Sequence, residues 1–291
     1  GEQKMQIVQQ EDVERKRGLE HRGGTFYART LVQGTPGTPG NFKLSLSESG
    51  ADHSGPRHRH NFDQFRFMVQ GSSSFDRDGV LKEGMLGYFP EGVHYGPQTN
   101  PTDTFLIVLQ FGGASGSGYL LPAEVKAGTE ELRKFGEFKD GVFYRNSDDG
   151  KRNVDGFQAV WEHVHGREMI YPKARYDAPV FMDPQNFDWV SVGQGVEEKL
   201  LGVFTERRTE GSLLRLASGA SHKLQGRGVW VVLHGGGSSA GQTLKQYTAI
   251  SLEKGEELAI AASEAMELLH YGLPDLTGIE SLRHAPAAAA E

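Results

Sequence analysis

The sequence predicts a mainly all-β protein built from two similar units in tandem. Of its 291 residues, 39 are Gly and 37% are hydrophobic, a balance that suits many short strands joined by turns better than long helices. The chain also matches itself, because Ser54–His60 aligns with Ser218–Leu224 and Phe65–Gly71 then falls on Val229–Gly235 without a gap. Such self-similarity indicates a duplicated unit, here two barrels in one chain.

Charge and composition argue against several kinds of partner and site. The formal net charge is -7 and no basic run is present, so we expect no nucleic-acid partner. There are no cysteines, which excludes disulfides and leaves only nitrogen and oxygen ligands for a metal. No apolar run approaches a membrane span, and the charged N-terminus lacks an apolar signal region. We therefore expect a soluble, cytoplasmic protein without membrane contact.

Two histidine-bearing segments carry the strongest functional signal. Gly55–Gln64 contains His58 and His60, and Gly84–His94 contains a Pro-x-Gly turn just before its last residue. Histidines at i and i+2 of a strand point to the same face. Imidazoles that converge inside an apolar barrel are costly to bury unless something binds them, and a transition metal is the usual binder. The pattern predicts a metal site.

These segments resemble the paired motifs of the cupin superfamily, with the spacings G-x-x-H-x-H and G-x5-P-x-G-x-H. The resemblance implies two tandem jelly-roll barrels (double-stranded β-helices) with a short connecting helix, the bicupin arrangement. It also implies that His58, His60 and His94 are metal ligands. Many cupins have a glutamate where this chain has Gln64, which is either a further weak ligand or a hydrogen-bond partner of the ligands.

Shifts in composition divide the chain into five parts. We expect an N-terminal arm over 1–25, a first barrel with the metal site over 26–112, a connecting segment over 113–195, a second barrel over 196–280 and a tail over 281–291. The connecting segment follows the flexible loop Gly112–Gly118 and contains a predicted short helix, Thr129–Gly136. A second H-x-H pair within it, His163 and His165, indicates an exposed strand face.

The second copy has lost most of the candidate ligands. The alignment pairs His60 with Leu224 and Gln64 with Gly228, and, with Gly84 placed on Gly255, it pairs His94 with the region of Ala265. His58 alone keeps a counterpart, His222, and one imidazole cannot hold a metal. We predict one barrel with a metal site and one degenerate barrel.

Arg66 and Tyr88 are the candidate catalytic residues. Strand alternation from Gln64 places Arg66 on the metal-facing side, where a guanidinium suits a substrate carboxylate in bidentate contact. The alternatives are a buried ion pair with a barrel acid and a side chain that leans out to solvent. Tyr88 precedes the Pro-x-Gly turn and Tyr95 follows it. By position, both side chains either line the barrel mouth or fill the core.

Three imidazoles with a neutral Gln64 would leave open positions on a divalent ion, as a non-haem Fe(II) oxygenase requires. The resemblance to ring-cleaving and β-diketone-cleaving cupins makes an Fe(II) dioxygenase acting on a small carboxylate or diketone the leading hypothesis. The alternatives are an oxygen-independent isomerase, decarboxylase or lyase with Zn, Ni or Mn, and a non-catalytic bicupin that binds a small molecule. Proteins of this kind are commonly homodimers, which we also expect here.

Overall fold

The computed structural model describes residues 5–18, 24–146 and 153–279, and His21 and His284 lie outside these ranges. The first strand, β1 (Gln6–Val8), pairs antiparallel with residues 249–251 of the second half, so the N-terminal segment joins the two halves. A single turn of 3-10 helix follows at Gln10–Asp12.

The first barrel is made of two antiparallel sheets. Its strands are β2 (Lys16–Arg17), β3 (Phe26–Gln33), β4 (Phe42–Ser49), β5 (Ser54–Gly55), β6 (Asp63–Gln70), β7 (Ser73–Ser74), β8 (Val80–Leu81), β9 (Leu86–Phe89), β10 (Gln98–Thr99) and β11 (Thr104–Phe111), with a 3-10 turn at Asp76–Asp78. The larger sheet has the order β9-β6-β11-β4-β3-β2, and the smaller sheet has the order β5-β10-β7-β8. The larger sheet has one face toward the barrel lumen and the other toward the second barrel.

The connecting segment contains more structure than the single short helix that we expected. It consists of α1 (Pro122–Leu132), β12 (Gly136–Lys139), β13 (Val142–Arg145), β14 (Asn153–Asp155) and α2 (Gly156–His165). The α1 helix begins at Pro122 and includes Thr129–Leu132, the first half of the predicted helix Thr129–Gly136. Gly136 is instead the first residue of β12. His163 and His165 lie on α2 and not on a strand, because Ala159, Val160 and Trp161 give this stretch a helical apolar face. No helix in the described ranges is long and apolar enough to cross a membrane.

The second barrel repeats the first. The remaining strands are β15 (Val180–Met182), β16 (Val190–Gly193), β17 (Val196–Phe204), β18 (Thr209–Leu216), β19 (Ser221–Gln225), β20 (Gly228–His234), β21 (Gly237–Ser239), β22 (Gln242–Leu244), β23 (Ala249–Leu252), β24 (Glu257–Ala262) and β25 (Met266–Gly272), with a 3-10 turn at Pro184–Asn186. The order β23-β20-β25-β18-β17 matches β9-β6-β11-β4-β3, and β19-β24-β21-β22 matches the smaller sheet. The β15 strand adds to the first barrel beside β9. The predicted mainly all-β fold with two tandem jelly-roll barrels is confirmed.

One part of the internal alignment was wrong. The backbone N–H of Gly84 donates to the Met68 carbonyl (2.7 Å), and in the second barrel Tyr247 makes the same bond to the Val232 carbonyl (2.7 Å). Tyr247, with φ of 65°, therefore takes the place of Gly84, whereas we had matched Gly84 with Gly255. Matching glycine with glycine gave the wrong alignment because this turn position requires a positive φ, which Tyr247 adopts although it is not a glycine.

The two larger sheets pack against each other through an aromatic core. Phe65 of the first barrel stacks on Tyr271 of the second with ring centroids 5.1 Å apart, and Tyr88 stacks on Phe204 at 4.2 Å. The Tyr271 hydroxyl donates to the Ile107 carbonyl (2.7 Å), which satisfies the polar end of a buried ring. This packing fixes which face of each strand is outside the lumen.

Candidate metal centre

The side chains of His58 and His60 converge inside the first barrel. Both residues lie in the turn between β5 and β6, and paired backbone bonds between His58 and Tyr95 (3.1 and 2.9 Å) hold that turn. The Nε2 atoms of the two histidines are 3.1 Å apart. Two imidazole nitrogens that each lie about 2.1 Å from one ion are about 3.0–3.4 Å apart for right-angle to tetrahedral geometry. The spacing fits two ligands of a single ion.

The tautomer of His58 supports the same conclusion. Its Nδ1 lies 2.7 Å from the Pro56 carbonyl, which can only accept, so Nδ1 carries the hydrogen. In the neutral ring Nε2 of His58 is then an unprotonated acceptor that faces Nε2 of His60, and it could bind a cation in place of a proton. Metal-bound histidines usually donate their other N–H to a carbonyl or carboxylate in this way. The two residues therefore fit a divalent metal.

The structure brings Tyr95, and not His94, to these histidines. His94 is exposed, whereas Val93 and Tyr95 on either side of it are buried. Because Tyr95 lies opposite His58 in an antiparallel pair, the two side chains share a face, and the Tyr95 hydroxyl is 3.1 Å from Nε2 of His60. Our motif placed the inward residue one position too early. Desolvation, followed by the charges of Arg59 and Arg57, lowers the pKa of His94.

No group of three His, Cys, Asp or Glu side chains in the described part of the chain could hold a metal ion. The candidate centre therefore consists of two imidazoles with a phenol hydroxyl beside them. Two nitrogen donors and a neighbouring oxygen suit several first-row ions, so the donor set alone does not select one metal.

Gln64 faces the centre, but both ends of its amide are engaged within the protein. Its Oε1 accepts from Arg66 Nε (3.3 Å) and from Gln110 Nε2 (3.2 Å). Its Nε2 donates to the Tyr95 hydroxyl (3.3 Å). This arrangement favours a hydrogen-bonding role over direct ligation, which was one of the two roles that we expected for Gln64.

Arg66 lies on the inner face, as the alternation predicts. Its Nη2 donates to the Tyr95 hydroxyl (3.0 Å), its Nη1 donates to Gln98 Oε1 (3.2 Å), and its guanidinium lies 4.5 Å from the centre of the Phe89 ring. The inner-facing positions of β4, β6 and β11, strands that the structure describes completely, carry no Asp or Glu. A guanidinium in such a lining is suited to an anionic ligand.

Tyr88 does not lie in the lumen. It is opposite Phe65 in the β6–β9 pair, so it faces the second barrel, where it is fully buried and donates to Asp63 Oδ2 (2.9 Å). Burial, followed by the Asp63 charge, raises the pKa of Tyr88 far above its usual range. The structure thus places Tyr88 in the core between the barrels, the core-filling alternative of the two that we expected, and not in the lumen.

A buried carboxylate pair adjoins Tyr88 on this outer face. Burial and the neighbouring Glu91 raise the pKa of Asp63 to about 7. Glu91 accepts from the backbone N–H and hydroxyl of Ser115 (2.8 and 2.7 Å) and pairs with Arg175 (3.1 Å). These contacts tie the first barrel to the connecting segment.

Sequence reasoning missed a polar chain that leads into the site. The Tyr119 hydroxyl donates to Gln110 Oε1 (2.7 Å), and Gln110 Nε2 donates in turn to Gln64. Burial raises the pKa of Tyr119, so its hydroxyl stays a donor and fixes the orientation of both amides. The strand alternation of β11 could have placed Gln110 on the inner face, but nothing in the sequence indicates Tyr119.

Two stacked jelly-roll barrels, one of them with a pair of converging imidazoles in its lumen, give this molecule the two-barrel (bicupin) fold, which it shares with several solved structures. A putative dioxygenase from Nostoc punctiforme superposes with a TM-score of 0.62 at 11% identity, covering 94% of this chain and 84% of that one. Pirin YhhW from Escherichia coli, solved with nickel(II), gives 0.54 at 10% identity, with 93% and 99% covered. A mutant of Bacillus subtilis oxalate decarboxylase gives 0.52 at 16% identity, with 94% and 78% covered.

At the sequence level the chain is similar to dimethylsulfoniopropionate lyase DddW from Ruegeria pomeroyi. The two are 29% identical over 97 residues, which is 32% of this chain and 64% of the lyase, so the chain spans less than two thirds of its relative. No protein-family model matches the sequence.

Proposed function

We propose that this protein is a metal-dependent cupin enzyme that binds a small organic carboxylate and cleaves it without dioxygen, as a lyase or decarboxylase. The observation that carries the proposal is the position of the Tyr95 hydroxyl, 3.1 Å from His60 Nε2 and 3.0 Å from Arg66 Nη2. A potential proton acceptor, a potential metal ligand and an anion-binding group thus meet at one point. The similarity to DddW supports a lyase.

In this proposal His58 and His60 hold a divalent metal. Such an ion would supply Lewis-acid polarisation of the substrate carboxyl group. Nickel(II) in pirin and Mn(II) in oxalate decarboxylase are precedents for the fold, and Fe(II) and Zn remain candidates for this chain. Arg66 binds the substrate carboxylate through its guanidinium. Gln64 holds Tyr95 and Arg66 in their relative positions.

Tyr95 is the residue that we propose for proton transfer. Its oxygen accepts hydrogen bonds from Arg66 and Gln64, which hold it beside His60. Elimination and decarboxylation both require a proton to be moved to or from the substrate, and a positioned side chain accelerates such a step by about 100- to 10,000-fold. Tyr88, the tyrosine that the sequence analysis proposes as catalytic, lies on the opposite face of the sheet.

Elemental analysis of purified variants tests the metal site. We expect about one equivalent of a divalent metal in the wild type, and loss of that metal in His58→Ala. The matched control is His94→Ala, which removes an exposed imidazole and should leave the metal content unchanged. If His94→Ala loses the metal as His58→Ala does, the motif-based ligand set is right and the Tyr95 arrangement is not the metal-bound one.

An Fe(II) dioxygenase is the second candidate. The structure most similar by TM-score among those compared above is described as a putative dioxygenase, and the sequence motifs resemble those of ring-cleaving cupins. That hypothesis relied on three imidazoles, of which the structure brings two together. Substrate turnover under argon decides between the two. Turnover that continues without oxygen supports a lyase, and oxygen uptake in step with substrate loss supports a dioxygenase. A homodimer stays a prediction.

A further inference from the structure

The lumen of the first barrel contains a second cation, Lys43. It lies on β4, where Phe42, Leu44 and Leu46 belong to the core between the barrels, so Lys43 alternates to the inner face. It is directly opposite Gln110 of β11, and Gln110 is opposite Gln64 of β6. Lys43 and Gln64 therefore lie in one row across three neighbouring strands, with their backbones about 10 Å apart at the usual strand spacing.

This part of the inner face is only partly buried. Most inner-facing residues of the larger sheet are buried, but the partly exposed ones include Lys43, Arg66 and Gln110, and the nearby His58 and His60 are also partly exposed. The row that contains Lys43 thus reaches the candidate metal centre through Gln64, whose amide donates to the Tyr95 hydroxyl. The inner faces of β4, β6 and β11, which the structure describes completely, therefore present only neutral and positively charged side chains.

Among the residues that the structure describes, the Lys43 ammonium has no partner to offset its desolvation. Within residues 5–18, 24–146 and 153–279, no hydrogen bond or ion pair engages its side chain. Burial lowers the pKa of Lys43 to about 8. An unpaired, desolvated ammonium opposes folding. A ligand with a negative charge beside it would offset this desolvation free energy.

We infer that Lys43 forms a second anion subsite and that the substrate of this site is a small dicarboxylate, with one carboxylate at Arg66 and the other at Lys43. The inference rests on the proposed function and narrows it. Dimethylsulfoniopropionate, which the name of the similar lyase gives as its substrate, carries a sulfonium cation at the end opposite its carboxylate. A sulfonium group at Lys43 would face a like charge. The lumen therefore selects against that substrate and for a dianion.

Isothermal titration of the protein as purified, with its metal content measured, tests the inference. The probes are succinate and butyrate, which share a carbon chain length and differ in the second carboxylate, together with dimethylsulfoniopropionate. We expect the wild type to bind succinate most tightly. Lys43→Met should weaken succinate binding about 10- to 100-fold, since it removes one charge-assisted contact, and should leave butyrate binding within about twofold. Lys43→Arg, which keeps the charge, should retain the preference for succinate.

Two controls separate binding from folding. Lys134→Met removes an exposed lysine of the connecting segment and should change neither ligand. Lys43→Met should raise the Tm by a few degrees, because it removes an unpaired desolvated charge, so weaker succinate binding cannot be attributed to unfolding.

The possible failures can be told apart. A succinate-to-butyrate ratio that is the same in the wild type and in Lys43→Met overturns the dicarboxylate inference. So does tighter binding of dimethylsulfoniopropionate than of succinate. In either case the proposed function stands if Arg66→Met still abolishes carboxylate binding. If no carboxylate binds the wild type, or if Arg66→Met has no effect, the anion site of the proposed function itself is refuted.

Discussion

The two barrels share one strand order but differ in what their lumens contain. In the first, the row across β6, β11 and β4 is Gln64, Gln110 and Lys43; in the second, the equivalent row across β20, β25 and β18 is Gly228, Gly272 and Glu210. One step further along, Arg66 of the first barrel corresponds to Trp230 of the second. The first lumen is polar and partly open, whereas the second is filled.

The filling of the second lumen is largely apolar. Trp230 is buried and stacks on His270 with ring centroids 4.1 Å apart, and His270 pairs with Glu210 (3.7 Å). Much of the rest of the lumen belongs to one apolar cluster that includes Leu214, Val232 and Leu268. Side chains of this kind contribute burial free energy that the polar lumen of the first barrel forgoes. One barrel is therefore suited to binding and the other to stability, although the backbone is the same.

The largest effect is expected from Trp230→Ala in the second barrel. Removing a buried indole from a packed lumen should lower the free energy of unfolding by about 3–5 kcal/mol. Because this lumen has no part in the candidate centre, metal content per folded chain should not change. Urea denaturation monitored by far-ultraviolet circular dichroism measures the free energy of unfolding, and elemental analysis measures the metal content. A loss of metal from the folded variant would show that the barrels do not divide the two roles.

Tyr95→Phe tests the active side of the comparison. The variant keeps the ring but loses the hydroxyl that contacts His60, Gln64 and Arg66. We expect kcat to fall about 100- to 1,000-fold while metal content stays near that of the wild type. Metal loss in Tyr95→Phe would instead identify the phenol oxygen as a ligand, and unchanged turnover would remove Tyr95 from the mechanism.

The difference between the barrels also shows what the sequence can predict. The alternation along β6 placed Gln64 and Arg66 on the inner face, and the gap-free alignment with β20 identified the duplication. Both are period-two patterns within one strand. The choice between His94 and Tyr95 depends on how the turn after Pro90 aligns with His58, and a shift of one residue reverses every side chain. Tyr119 reaches Gln110 only through the packing of the connecting segment, which no local pattern specifies.

Lys43→Met tests whether a charged side chain in the lumen of the first barrel lowers the stability of the protein. Burial lowers the pKa of Lys43 from 10.5 to about 8, so the folded state binds the proton less tightly than the unfolded state does. The charge therefore destabilises the fold fully below about pH 8, and this penalty disappears as the pH rises from about 8 to about 10.5. We expect Lys43→Met to be more stable than the wild type by about 1–3 kcal/mol at pH 7.

The pH profile is the decisive part of that measurement. Unfolding free energies of the wild type and Lys43→Met should converge between pH 8 and pH 10.5, while Lys134→Met should follow the wild type throughout. A stability difference that does not change over this range would mean that the methionine acts by filling space and not by removing a desolvated charge.

The smallest effect is expected from Tyr119→Phe, which removes the outer end of the chain that orients Gln64. Its matched control is Tyr271→Phe, since both hydroxyls are buried and each donates one bond of 2.7 Å. Each variant should lose about 1 kcal/mol of stability. Only Tyr119→Phe leaves Gln110 free to turn its amide and present its oxygen to Gln64, so only this variant should weaken succinate binding, by about two- to fivefold. Equal succinate affinities in the two variants would show that Arg66 and Tyr95 hold Gln64 in place without the Tyr119 bond.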